Sequence, residues 1–335
     1  MATSNQHGVT KQEFKALTER KKAQRFRKAL MQALDRYSLK PQSLRLVSMD
    51  SRPVFRIDTR GESFAAKFHD PSEHTLAQVQ GEVRFLDFIS RHTELCIEEP
   101  LANSKRSFVT KVESEWLPEP AHISICSWVP GRPLRDAVSA RSYGLLGRCA
   151  AILHQVSPSF RPGRGFQILT NDRVFYWDPE TITSRKDRKL LPKQRQEVFR
   201  KSAQHAQMAI SRIWKSGKPI VIHGDLHPSN VKMHRSSLSL YDFEDIAWGF
   251  PQQDIGTSMY YIRFRENYAA LLGAFRKGYE KVSPWPLASD RQLDQFVMAR
   301  QLMLTNYVVN FDISPKKYLL EFEGRLRLLL GGKTS

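Results

Sequence analysis

The apolar run Ile220-Val-Ile leads directly into His223-Gly-Asp-Leu-His-Pro-Ser-Asn230, and Ser239-Leu-Tyr-Asp-Phe-Glu-Asp245 follows shortly after. This stretch constrains the fold more than any other part of the chain. It reads as an apolar strand that delivers His223, Gly224 and Asp225 into a loop, then a second short strand that delivers Asp242. Asn230 lies five residues beyond Asp225, and Asp242 twelve beyond Asn230. Polar side chains on loops after apolar strands are costly to bury without a task. Phosphoryl transfer from a nucleotide is such a task. One carboxylate must orient the acceptor hydroxyl, an amide and a second carboxylate must hold Mg2+ through oxygen, and an ammonium must fix the non-transferred phosphates. A strand–loop–strand lets Asn230 and Asp242 converge on one metal while Asp225 faces the acceptor.

The rest of the chain narrows the setting. Its 335 residues, 41% hydrophobic and 26% charged, predict about two globular domains. No apolar window approaches the length of a transmembrane helix, and the polar, basic start lacks a secretory apolar core. Cys96, Cys126 and Cys149 are odd in number and widely spaced, which argues against disulfides or a zinc motif and for a reducing cytoplasm. The net charge of +18, from 52 basic and 34 acidic residues, suggests an anionic partner. Residues 11–28 carry eight Lys/Arg against two Glu, and residues 185–201 carry eight against Asp187 and Glu197. Both runs read as solvated helix faces. Neither zinc-finger spacing nor an aromatic RNA-binding signature accompanies them, which argues against nucleic acid.

Along the chain, residues 10–37 read as one helix, with Thr10 and Glu13 as a capping box and Phe14, Leu17, Phe26, Leu30 and Leu34 on one face. Strands are predicted at 44–47, 54–58 and 63–68, with a hairpin turn at Thr59-Arg-Gly-Glu. A helix over 73–91 turns Leu76, Val79, Val83, Leu86 and Ile89 to one side, and strands near 107–112 and 122–128 follow. Three strands, a helix and two strands make an α+β lobe rather than a βαβ repeat. After Val129-Pro-Gly-Arg-Pro the pattern turns helical, at 140–154, 193–215 and 254–330.

His223-Gly-Asp-Leu-His-Pro-Ser-Asn230 with Asp242-Phe-Glu244 resembles the aminoglycoside phosphotransferase/choline kinase family. The stretch from Tyr241 to Ile255 is similar to its bacterial homoserine-kinase-like or stress-response kinase A-like members. The resemblance spans roughly residues 35–310 and implies a protein-kinase-like, two-lobed fold with the nucleotide in the cleft. It implies that Lys67 is the third-strand lysine, with Ala65 under the adenine, and that Glu82 on the next helix pairs with Lys67. It makes Ser127, Trp128 and Val129 the hinge at the adenine edge and Asp254 a buried anchor of the catalytic loop. The turn Ser48-Met-Asp-Ser-Arg-Pro-Val departs from the pattern by having no glycine, so side chains such as Ser51 or Arg52 would cover the phosphates. Glu244 stands where eukaryotic kinases carry glycine, and no arginine precedes Asp225.

The resulting expectation is a basic tail and helix at 1–34, a nucleotide-binding lobe at 35–129 and a catalytic lobe at 130–335. ATP, or alternatively GTP, donates its γ-phosphoryl to a hydroxyl of an amino alcohol, sugar or antibiotic. Asp225 is the base, Asn230 and Asp242 hold Mg2+, and Lys67 with Glu82 meets the phosphates. A stress-response-type protein Ser/Thr kinase is the alternative, and the intact set argues against a pseudokinase. His223, His227 and His154 read as structural, Trp128 as hinge packing or adenine lining, and the cysteines as fillers. Residues 251–335 carry twelve Lys/Arg against eight Asp/Glu, which disfavours a polycationic acceptor.

Overall fold

In Ser63-Phe-Ala-Ala-Lys-Phe-His69, alternate residues face opposite sides of a strand, and this alternation organises the first part of the chain. The computed structural model describes residues 9–49, 52–71, 74–184 and 190–331. They fall into two compact units. One runs to Pro130 and includes Arg161–Ile168 and Ser239–Glu244; the other holds Gly131–Phe160, Leu169–Leu238 and the chain from Asp245 onward.

The first unit contains helices α1 (Lys11–Lys15) and α2 (Glu19–Leu34), strands β1 (Ser43–Ser48), β2 (Val54–Asp58) and β3 (Ser63–His69), and helix α3 (Leu76–His92). Strands β4 (Cys96–Ile97), β5 (Val109–Val112) and β6 (Ala121–Ser127) follow. Five strands form an antiparallel sheet in the order β1-β2-β3-β6-β5. Phe64, Ala66 and Phe68 of β3 join Phe55, Ile57, Ile123 and Ile125 in a core closed by Ala29, Leu30, Ala33 and Leu34 of α2. The pleat therefore turns Ala65, Lys67 and His69 to the face away from α2. The hairpin turn forms as expected, the Thr59 N–H donating to the Glu62 carbonyl at 2.9 Å.

Two expectations need correction. The helix expected over 10–37 is broken: the Thr10–Glu13 capping box starts α1, but Thr18 caps a second helix by accepting from the Lys21 N–H. In a straight helix Phe14 and Phe26, twelve residues apart, would stand about 18 Å apart. The break brings their rings to 5.5 Å, edge to face, and Phe26 meets Phe68 at 4.9 Å. Leu76, placed on the buried side of its helix, is 41% exposed because it opens the first turn.

The second unit contains β7 (Arg132–Pro133), α4 (Ala140–Val156), β8 (Leu169–Thr170), α5 (Lys193–Ser216), β9 (Ile220–Ile222) and β10 (Val231–His234). After β11 (Ser237–Leu240), whose last two residues belong to the first unit, come β12 (Ala247–Gly249), α6 (Pro251–Tyr260), α7 (Tyr268–Tyr279), α8 (Asp290–Asn310) and α9 (Pro315–Leu329). Strand β12 pairs antiparallel with β9 and parallel with β8, holding the strand that leads into His223. Helices α4 and α7 cross where each offers glycine: a Cβ on Gly147 would run into the Phe275 carbonyl, and one on Gly278 into the Gly144 carbonyl. The fold is thus mixed α+β, an antiparallel-sheet unit and a mainly helical unit. Among the described residues no helix is long and apolar enough to cross a membrane. Ser51 and residues 185–189 of the second basic run lie outside the described residues.

Candidate active site

In the first unit, the Lys67 side of the sheet carries a buried charge cluster. Lys67 Nζ lies 2.5 Å from Glu98 Oε1 and 3.6 Å from Glu82 Oε1 of α3. All three side chains are at least nine-tenths buried. The expected Lys67–Glu82 pair is therefore present as the longer of two contacts. Burial works against the Lys67 charge, but Glu98 and Glu82 together outweigh it and hold the ammonium above its ordinary range. Glu98, just past the dipeptide strand β4, was not singled out from the sequence; no local pattern marks it.

Arg52 is buried in the same cluster. Its guanidinium lies 2.9 Å from Asp242 Oδ1, 3.0 Å from Glu244 Oε2 and 3.6 Å from Glu82 Oε2. It thus faces these acids from the glycine-free turn. Asp242 itself has a left-handed backbone, φ 65°, rare for a residue with a Cβ. Its N–H donates to Glu98 Oε1 at 2.8 Å, and buried Phe243 packs beside Phe85 of α3, so the segment is held from both sides. Burial raises the Glu244 carboxyl to about 7 against the pull of Arg52.

Ala65 is buried on the Lys67 side of β3, opposite Cys126 of β6. At the expected hinge, the Ser127 N–H donates to the Glu99 carbonyl at 2.8 Å and the Trp128 N–H to the Ser63 carbonyl at 2.9 Å. Val129 is buried, and the Trp128 ring stacks under the Arg56 guanidinium at 4.7 Å.

In the second unit, strand β9 leads into His223, Gly224 and Asp225. Gly224 has φ +80°, and a Cβ there would run into the Asp245 carbonyl, so only glycine fits this turn. Asp254, in the first turn of α6 and fully buried, accepts the His223 and Gly224 N–H groups on its two oxygens, each at 2.9 Å. His154 of α4 donates from Nε2 to Asp254 at 3.0 Å, and its Nδ1 meets the Tyr279 hydroxyl of α7 at 3.0 Å. The loop backbone is thereby fastened to three helices.

The Asp225 carboxylate is enclosed. Asn230 Nδ2 donates to its Oδ2 at 2.9 Å and to its backbone carbonyl at 3.1 Å. His227 Nδ1 accepts the Ser229 N–H, which leaves Nε2 as the protonated nitrogen, 3.2 Å from Asp225 Oδ2. Arg300 of α8 donates from Nη2 to Oδ1 and, at 3.2 Å, to the Tyr261 hydroxyl. The Tyr261 ring stacks on His227 at 4.6 Å. Burial would raise the Asp225 carboxyl, but Arg300 and His227 overcome it and hold it well below the usual carboxylate range. Arg300 escaped the sequence reading although Met298-Ala-Arg-Gln-Leu302 sets it inside an apolar run.

Residues 43–288, more than half of the chain, match the profile of the phosphotransferase enzyme family. The chain belongs to this family. It is an enzyme, a kinase-type phosphotransferase, and the resemblance carried by its catalytic-loop motif is to the same family. No curated protein matches it by sequence. Among solved structures, an amicoumacin kinase in complex with AMP-PNP and Ca2+ superposes with a TM-score of 0.74 at 15% identity, covering 92% of this chain and 96% of that one. A microcompartment-associated aminopropanol kinase gives 0.73 at 19% identity, covering 90% and 96%. A spectinomycin phosphotransferase in complex with ADP gives 0.61 at 12% identity, covering 90% and 93%. These likenesses establish a shared, protein-kinase-like fold.

Proposed function

We propose that this phosphotransferase moves the γ-phosphoryl group of ATP, with GTP as the alternative donor, to a hydroxyl of a small-molecule acceptor. The observation that carries the reading is the Asp225 carboxylate, held by Asn230, His227 and Arg300 on a loop fastened to Asp254. Kinship in fold with proteins named for amicoumacin, aminopropanol and spectinomycin supports a small acceptor.

Asp225 stays ionised at neutral pH and accepts a hydrogen bond from the acceptor hydroxyl. As the oxygen–phosphorus bond to the acceptor forms and the bond to the β-phosphate oxygen breaks, the hydroxyl proton passes to Asp225 and then to solvent. ATP and an alcohol become ADP, a phosphate monoester and a proton. Lys67, held by Glu98 and Glu82, meets the α- and β-phosphates. Ala65 and the Ser127–Val129 segment border the base. Asn230 spends Nδ2 on Asp225 and keeps Oδ1 for other partners, and the Asp242 side chain is 34% exposed. These hard oxygen donors fit Mg2+, which when bound offsets phosphate charge. Positioning and charge stabilisation then supply most of the rate.

The test is ADP release with a panel of alcohols and generic protein substrates, alongside MgATP binding. Asp225→Asn should lower kcat by about 10²–10⁴-fold and keep MgATP affinity within a few-fold. Asp242→Ala should abolish Mg2+-dependent nucleotide binding. A variant at Asp225 that keeps half its turnover refutes the role of this carboxylate, and phosphorylation of protein alone refutes the acceptor class.

A further inference from the structure

Arg300 is 4% exposed, yet among the described residues only Nη2 has hydrogen-bond partners, Asp225 and Tyr261. Among the described residues its buried Nε and Nη1 have no hydrogen-bond partner. The guanidinium lies over the Trp177 ring at 5.3 Å and the Tyr261 ring at 6.0 Å. Trp177 Nε1 and the hydroxyl of adjacent Tyr176 are likewise buried and unpartnered among the described residues. Unused donors on a buried cation are rare, because each leaves desolvation uncompensated. Here they gather beside the carboxylate that faces the acceptor. Tyr176 and Arg300 line a cavity of only about 20 Å3, room for a water, but Tyr176 and Trp177 also line a groove of about 520 Å3 with Arg173 and Gln207.

We propose that Arg300 reads an anionic group, carboxylate or phosphate, on the acceptor itself. This rests on the phosphotransfer reading above and names its substrate class. A guanidinium presents its N–H groups as a planar fork that matches such anions, and the aromatic faces of Trp177 and Tyr261 hold that plane. Trp177 Nε1 adds a donor. One edge of the fork is spent on Asp225, so the anion and the reactive hydroxyl lie within about 5–6 Å of one another, two to four bonds apart. The acceptor is therefore a compact hydroxy acid or the phosphate ester of a small polyol. An ammonium in this position would meet the full charge of Arg300 away from water, so amino alcohols without an anionic group are poor acceptors.

The experiment uses the full chain with MgATP and four matched three-carbon alcohols: glycerate, glycerol 3-phosphate, glycerol and 1-amino-2-propanol. Wild type should bind glycerate or glycerol 3-phosphate saturably by calorimetry, and kcat/KM for that anion should exceed the neutral and amine compounds by at least tenfold. Which anion wins separates carboxylate from phosphate. Arg300→Gln should raise the anion KM at least tenfold and bring the anion-to-glycerol ratio toward one, with the ATP KM kept. Arg300→Lys should fall between, and Trp177→Phe, which keeps the ring and removes the donor, should raise the anion KM a few-fold. Absence of anion binding to wild type, or preference for the amine, overturns the proposal whether or not the variants fold. So does an Arg300→Gln variant that lowers kcat equally on every alcohol with KM unchanged, which would make Arg300 a positioning residue for Asp225. If glycerol or the amine is phosphorylated in an Asp225-dependent way, the phosphotransfer reading stands even where this one fails. If MgATP does not bind, that reading fails first.

Discussion

At the end of β3, His69 is buried between cations. Its Nε2 meets Ser124 Oγ at 2.8 Å and its Nδ1 lies 3.2 Å from Arg52 Nη1, so Nδ1 is the acceptor and Nε2 carries the proton. Burial, then Arg52 and Lys67, with His74 and His122 adding to them, hold its pKa well below 6.5. A lowered folded-state pKa means that the unfolded chain binds a proton below 6.5 that the folded chain refuses. Stability from a neutral His69 is complete above pH 6.5 and declines as the pH falls below it. The slope is at most about 1.4 kcal/mol per pH unit for one proton. His69→Gln can keep both hydrogen bonds and cannot titrate. Urea unfolding at pH 7 and pH 5.5 should show a smaller acid loss in the variant than in the parent; equal losses would clear His69 of the effect. The same neighbourhood shows where reading residues from the sequence stops. The family resemblance singled out Lys67 and Ala65, and the pleat of Ser63–His69 sets both on one side. The alternative partner Glu98 comes from a coil 31 positions away that no periodicity marks.

Helix by helix, legibility followed burial pattern. Helix α4 was visible through its apolar period and α5 as a long basic helix, while α8 buries every residue of Phe296–Leu302, about two turns without a polar face against which Arg300 would stand out. The break between α1 and α2 was hidden because Thr18 is tolerable inside a helix and decisive only once Phe14 folds back. Close helix contacts were also invisible, since they depend on which glycines face a neighbour. In α7, Gly278 meets the Gly144 carbonyl, whereas a Cβ on Gly273 would meet nothing within 4 Å among the described residues. Alanine favours a helix over glycine by about 1 kcal/mol. Gly273→Ala should therefore stabilise by about 0.5–1 kcal/mol. Gly278→Ala should destabilise by roughly 1–3 kcal/mol, as overpacking against backbone does. It also displaces the helix that carries Tyr279, the partner of His154 behind Asp254. Thermal unfolding of the two variants should move Tm in opposite directions; a rise in both would mean that the α4–α7 crossing can spread freely.

For the whole molecule, the excess of positive charge raises the question of whether the basic N-terminal segment serves chemistry or only stability. Lys28 sits 3.6 Å from the Trp116 ring centre, Arg25 donates to the Trp116 carbonyl at 3.5 Å, and Lys11 pairs with Glu119 at 2.6 Å. These cations tie α1 and α2 to the loop before β6. Phe14 and Phe26 pack on the core face of the sheet, opposite Lys67 and Glu98. Removal of residues 1–28 strips both rings and opens the core around Phe68. Full burial of a phenylalanine stabilises by about 1.5–3 kcal/mol, and these two are partly buried, so a combined loss of about 2–4 kcal/mol is expected. The chemistry should persist, with kcat within a few-fold of the full chain, because the charged face of the sheet stays intact. Association with anionic MgATP should become less salt-sensitive once eight cations and two acids are gone, a net loss of six positive charges. The measurement is kcat, KM for ATP and for the acceptor, and Tm, for both proteins at low and moderate salt. A selective rise in acceptor KM, with ATP KM unchanged, would make the segment part of acceptor recognition and contradict its assignment to stability.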